Sequence, residues 1–138
     1  MSATKQKGDL AEVYAVYQLK RNGFNVLVPW GEDNRYDLVS EKKGVFKRIQ
    51  VKYVSSKNGA LQVSIRSSNN FNVIHYSARD VDIIAAVDIE QGKIYFIPLK
   101  GLKNRSLCKL RLSRAKNNQL KNIILASQFE SRFDFLER

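Results

Sequence analysis

The chain has 138 residues, with 24 Lys and Arg against 13 Asp and Glu, a formal net charge of +11. At 43% hydrophobic and 10% aromatic it carries enough apolar material for one folded domain, read here as residues 1–138, and too much for a disordered chain. The single Cys108 and single His75 exclude a disulfide framework and a Cys/His zinc site, and they leave only one imidazole for any triad.

The longest apolar run, Val81 to Ile89, is short and broken by Asp82 and Asp88, so no membrane span is expected. The N-terminus lacks the apolar stretch of a secretory leader, so the reducing cytoplasm is the expected compartment. Acidic residues stop at Glu41 and resume at Asp80, and a second acid-free stretch runs from Gln91 to Phe129. One-signed segments of this kind give a continuous positive potential that attracts phosphates.

In chain order, Thr4 to Asn22 reads as a helix, with Leu10, Val13, Tyr14 and Tyr17 at helical spacing and Gly23 as its stop. Phe24 to Val28 is a short strand, closed by Pro29 and Gly31, and Trp30 in the following loop is expected to fill packing space or flank a site. Tyr36–Ser40 and Val45–Val54 read as two strands joined by a Glu41–Gly44 turn. Ala60–Ile65 alternates, with Leu61, Val63 and Ile65 on one side and Gln62, Ser64 and Arg66 on the other, and a polar loop over Ser67–Asn70 follows. Asp82–Ile89 and Lys93–Ile97 form a hairpin around Glu90–Gly92. Ser106–Leu112 reads as a strand, and Asn118–Phe129 as a closing helix with Leu120, Ile123, Ile124 and Ser127 inward. A helix, meandering strands and a final helix predict an α/β/α sandwich with a central mixed sheet.

One constellation within this frame can carry chemistry. Strand side chains alternate, so Gln50 and Lys52 project from one face while Val51 points the other way, and Asp37 lies across the hairpin from them. A carboxylate beside two convergent polar groups suits metal-assisted cleavage of a phosphodiester. Asp37 would bind a hard cation such as Mg²⁺, with the Gln50 amide oxygen and the Val51 carbonyl as neutral oxygen ligands. Lys52 would position the attacking water and offset charge on the phosphoryl oxygens. Glu12, on the first helix, would orient water or a second metal. Taken singly these are ordinary surface residues; their order and spacing give them weight.

The segments Gly8-Asp9-Leu10-Ala11-Glu12, Tyr36-Asp37-Leu38 and Ile49-Gln50-Val51-Lys52 resemble the PD-(D/E)xK nuclease superfamily. Its pattern is Glu on the first helix, Asp on a strand and (Asp/Glu)-x-Lys on the next. Lys109-Leu110-Arg111-Leu112-Ser113 with Asn117-Asn118-Gln119 is similar to the branch that holds intron-encoded homing endonucleases, including one from a group I intron of a cyanobacterial tRNA gene. The resemblance implies a restriction-endonuclease-like core and double-strand DNA cleavage with Mg²⁺, for which Mn²⁺ substitutes. It implies Glu12, Asp37, Gln50 and Lys52 as the catalytic set, a bacterial host and association with the nucleoid. Two positions depart from the pattern: Gln50 stands where the superfamily has Asp or Glu, and Tyr36 where it has Pro. A Holliday-junction resolvase-like nuclease and a DNA-binding module with a decayed active site are the alternative readings.

Gln62, Ser64, Arg66, Ser68, Asn69 and Asn70 are of the types that hydrogen-bond base edges. Lys100, Lys103, Arg105, Arg114 and Lys116 are assigned to phosphates, which give affinity without sequence information. One catalytic set per chain requires two subunits for a double-strand cut at a long pseudopalindromic target. Phe129, Phe133 and Leu136, taken as one helical face, are the candidate contact surface. The resemblance implies a homotetramer first and a dimer second.

Overall fold

The computed structural model of the chain describes residues 3–69, 72–75, 79–100, 107–113 and 124–138. Helix α1 (Ala3–Arg21) buries Ala11, Ala15 and Leu19, one residue per turn along a single face. Small residues at two of these three positions let the helix lie close to the sheet. Leu10, Val13 and Tyr17, the large residues at helical spacing, are exposed. The helix ends in a Schellman turn: Phe24 N–H donates to the Leu19 carbonyl (3.0 Å) and Gly23 N–H to that of Lys20 (3.1 Å). Gly23 has a φ of +87°, which its missing Cβ makes inexpensive.

Five strands form the main sheet in the order β1-β2-β3-β8-β9: β1 (Asn25–Leu27), β2 (Leu38–Lys42), β3 (Val45–Tyr53), β8 (Ile83–Asp88) and β9 (Lys93–Pro98). The β3–β8 pair is parallel and the other neighbours are antiparallel. All six residues of β8 are buried, as a strand covered on both faces requires. One face packs on α1, with Ile49, Val51, Ile83, Ala85 and Phe96 in its cluster. The other face, through Ile84, Ala86, Tyr95 and Ile97, packs on Leu61, Val63 and Leu110. Those last three belong to a small antiparallel sheet of β4 (Ser56–Lys57), β5 (Ala60–Ser64) and β10 (Leu107–Arg111). The restriction-endonuclease-like α/β class stands, and among the described residues this second layer is a sheet rather than a helix.

Three local expectations are overturned. Ser67–Asn69 do not loop. They belong to β6 (Arg66–Asn69), which pairs with β7 (Asn72–His75) as a two-stranded ribbon. The closing helix is absent from the described part of Asn118–Phe129: Leu125 bridges Arg111, and Ala126–Gln128 is a single 3-10 turn. Ile124 is half-buried, Ala126 is the buried residue there, and Ser127 is exposed, while 118–123 lie outside the described residues. The C-terminal apolar residues do not form a helical contact face. Leu136 is fully buried from a 3-10 turn, Phe133 packs edge-on against Phe96 (4.9 Å between centroids), and Phe129 covers the opposite cluster. This segment seals the chain's own core.

Candidate active site

The two-residue turn Lys43-Gly44, with φ of +52° and +81°, joins β2 to β3 and fixes their register. Gly44 N–H is held by the Glu41 carboxylate at 2.9 Å. The register pairs Leu38 with Ile49, so the next residue back, Asp37, stands abreast of Gln50. Asp37 N–H donates to the Ile49 carbonyl (2.9 Å), and the Asp37 Oδ2 accepts from Val51 N–H (2.8 Å). Asp37 is therefore locked against β3 on both sides of Gln50, its backbone by the Ile49 carbonyl and its side chain by the Val51 N–H. Ile49 and Val51 enter the helix-side core, which turns Gln50 and Lys52 to the other face. Gln50 and Lys52 are both half-buried.

The electrostatics are those of an under-compensated cluster. Burial pushes the Asp37 carboxyl above its usual range, and the Val51 N–H and the Lys52 ammonium only partly oppose this. Burial pushes Lys52 down, with Asp37 opposing. Glu12 is raised by burial and then by the charges of Asp37 and Asp9, with no counterweight. Glu12 and Asp37 share a cleft of about 470 Å³, lined also by Val13, Val16, Tyr17, Val28 and Leu38. Of the four residues expected here, the structure brings Glu12, Asp37 and Lys52 into electrostatic contact and sets Gln50 abreast of Asp37. Among the described residues no cluster of three or more Asp, Glu, His or Cys forms. Two raised carboxylates beside a neutral amide oxygen nevertheless fit a hard divalent cation, whose charge would relieve what raises them.

A neighbouring clamp was not foreseen. Arg48 Nε and Nη2 grip the two Asp82 carboxylate oxygens at 3.1 and 3.0 Å, and Arg48 N–H donates to the same Oδ2 at 2.8 Å. Arg35 pairs with Asp80 at 2.9 Å, tying the loop that leads into Asp37 to the approach of β8. The sequence signal was available: Asp80 and Asp82 end an acid-free stretch just before the apolar run Ile83–Val87.

Residues 2–132 match the PD-(D/E)XK endonuclease family. The chain belongs to that family. In this PD-(D/E)XK endonuclease Tyr36, which precedes Asp37, packs against the core cluster on the small-sheet side. Among solved structures, that of the bacterial homing endonuclease I-Ssp6803I is similar at 27% identity and a TM-score of 0.74, over 96% of this chain and 92% of that one. None of the curated proteins matches this endonuclease.

Of the expected DNA-contacting residues, Gln62 is exposed on β5, directly opposite the exposed Lys109 of β10, and Ser64 beside it is half-buried. Lys109 was not foreseen; its place in an alternating strand was the available signal. Arg66, Ser68 and Asn69 lie on the β6 backbone of the ribbon. Exposed Lys100 borders a groove of about 720 Å³ with Lys47, Phe135 and Arg138. Asn70, Lys103, Arg105, Arg114 and Lys116 lie outside the described residues. Trp30 fills no packing space; it is fully exposed.

Proposed function

We propose that the chain is a site-specific DNA endonuclease of the homing type, acting as one domain over residues 1–138 and cutting both strands with Mg²⁺ or Mn²⁺. The observation that carries this reading is the pair of raised carboxylates, Asp37 and Glu12, beside the half-buried Lys52 in the family's motif order. Asp37, Glu12, the Gln50 amide oxygen and the Val51 carbonyl would hold the ion. When bound, the ion supplies positive charge to the phosphoryl oxygens and a lowered pKa to water. Asp37 lines the cleft and is kept in place there by the Val51 N–H, which leaves its second oxygen for the ion. Lys52 orients the attacking water and offsets the charge that grows on phosphorus oxygens in the transition state.

Recognition falls to Gln62, Ser64, Arg66, Ser68, Asn69 and Asn70 for bases, and to Lys100, Lys103, Arg105, Arg114 and Lys116 for phosphates. The likeness to a homing endonuclease supports a long, pseudopalindromic target read by a homo-oligomer, tetramer first and dimer second, in the bacterial cytoplasm and on the nucleoid. Among the described residues no helix is long and apolar enough to cross a membrane.

Gln50, a neutral residue at an acidic position, favours one second reading: a DNA-binding module that no longer cuts. Incubation with a randomised duplex library and Mg²⁺, in parallel with a synthetic four-way junction, separates these readings. Recovery of one enriched cleaved sequence supports the endonuclease. Structure-dependent nicking of the junction alone points to a resolvase, and tight binding without any product points to the decayed module.

A further inference from the structure

Strand alternation gives the small sheet of β4, β5 and β10 two unlike faces. Leu61, Val63 and Leu110 enter the core against the main sheet, so Gln62 and Ser64 of β5 and Lys109 and Arg111 of β10 lie on the opposite face. Register sets Lys57 beside Ala60 and Ala60 beside Arg111, which makes one row across three adjacent strands: a cation, a single methyl and a cation. Neighbouring strands stand about 4.8 Å apart, so the backbones of Lys57 and Arg111 are about 10 Å from each other. The next row on this face pairs exposed Gln62 with exposed Lys109. No Asp or Glu occurs in β4, β5 or β10.

Arg111 is the anomaly of this face. Its Nε is buried without a hydrogen-bond partner, and among the described residues the only other such side-chain atom is the neutral Ser40 hydroxyl. Arg35, Arg48 and Arg132 each hold an aspartate. Among the described residues Arg111, Lys57 and Lys109 form no ion pair. A buried donor left unmade costs stability, and a charged one costs more than a neutral one. A group of this kind is explained when something outside the chain completes it. An acid-free row with a guanidinium fork fits an anion whose oxygens accept side by side, which a phosphate offers. Position agrees. Along β5, Gln62 and Ser64 stand about 7 and 14 Å beyond Ala60, the span of a major groove about 12 Å wide. If those two side chains read base edges, the Lys57–Ala60–Arg111 row falls at the groove wall, where the phosphates are.

We propose that Arg111, with Lys57 across Ala60, grips a backbone phosphate of duplex DNA and so fixes the duplex against the strand that carries Gln62 and Ser64. This rests on the DNA-directed function proposed above, but its test reads binding in EDTA, so cutting does not enter it. Fluorescence anisotropy on several unrelated duplexes of random sequence compares wild type, Arg111→Met, Arg111→Lys and Lys57→Ala over a range of salt. Thermal melts of the same proteins, with and without duplex, provide a readout that a structural arginine would move the other way.

Arg111→Met is expected to weaken every duplex alike, by at least about tenfold, with a salt slope shallower by about one unit. Arg111→Lys keeps the charge and recovers part of that loss, and Lys57→Ala weakens all duplexes by about threefold. Without DNA, Arg111→Met is expected to melt above wild type, because an apolar side chain of similar length replaces a guanidinium whose Nε is buried and unpaired. Added duplex then raises the wild-type melting temperature more than that of the variant. Wild-type affinity in Arg111→Met would overturn the proposal, and a lower melting temperature beside it would make Arg111 structural. Losses confined to particular sequences would make Arg111 a base contact and overturn it equally. Lys57→Ala alters only an exposed side chain, so unchanged affinity there overturns the proposal even if Arg111→Met does not fold. Wild type that binds no duplex would remove the proposed function as well, whereas wild type that binds while the variants bind equally removes this proposal alone.

Discussion

Two aspartates flank strand β3, and they are treated in opposite ways. At Asp82, burial pushes the carboxyl up, but the Arg48 guanidinium and backbone N–H overcome this and hold it below its ordinary range. At Asp37 burial prevails: one backbone N–H and the Lys52 ammonium leave it above the ordinary range, with Glu12 raised close by. The first carboxylate is a finished structural contact that ties β3 to the approach of β8. The second is short of positive charge in the folded protein. That shortage is what supports the proposed cation site at Asp37, and nothing comparable stands at Asp82.

The comparison predicts its largest effect at Lys52. Lys52→Ala and Asp37→Asn should each lower the cleavage rate by at least about 100-fold while leaving duplex affinity within about threefold, because other basic residues supply ground-state binding. Gel-shift and single-turnover assays on the same preparations check both halves. Normal cutting by either variant would remove the assigned chemistry.

Arg48→Ala should act on the other aspartate. Losing the paired hydrogen bonds to a partly buried carboxylate should cost about 2 kcal/mol of stability in denaturant titrations, with cleavage by the folded fraction preserved. If cutting were lost with stability intact, Asp82 would belong to the catalytic site and the contrast would fail.

Glu12→Gln tests the under-compensation itself. A carboxyl raised in the fold binds its proton more tightly folded than unfolded, so its contribution to stability is present below the unfolded pKa and lost as pH rises through the raised value. At neutral pH the wild type therefore carries a penalty that glutamine lacks. The metal-free variant should melt a few degrees higher, and added Mg²⁺ should raise its melting temperature less than it raises that of wild type. Lys100→Ala gives the smallest effect, a salt dependence of DNA binding shallower by about one unit of slope with sequence preference unchanged.

Much of this was legible in the residues. The alternation of Ile49-Gln50-Val51-Lys52 and the Lys43-Gly44 turn fix which side chains meet Asp37, since a strand of period two under a two-residue turn leaves little freedom. The helical spacing of Leu10, Val13 and Tyr17 gave the helix but not which face packs, and Ala11, Ala15 and Leu19 are the residues it buries. Ser67–Asn69 looked like a turn because Ser and Asn favour turns, yet pairing with β7 makes them a strand. The Phe129–Leu136 segment was read by helical spacing; instead Phe133–Leu136 is a 3-10 turn packed on the helix-side cluster while Phe129 covers the opposite one, a tertiary requirement no local pattern carries. The Arg48–Asp82 clamp spans 34 positions, and only the parallel β3–β8 register brings it together.

Calorimetric titration of the DNA-free protein with Mg²⁺, in buffers of differing ionisation heat between about pH 5 and about pH 7.5, addresses the central claim most directly. If Asp37 and Glu12 are raised carboxylates awaiting a cation, Mg²⁺ binds more weakly toward the acid end and releases protons as it binds. Asp37→Asn then abolishes both the binding and the release. Mg²⁺ affinity that is flat across that range and equal in wild type and Asp37→Asn would contradict the account.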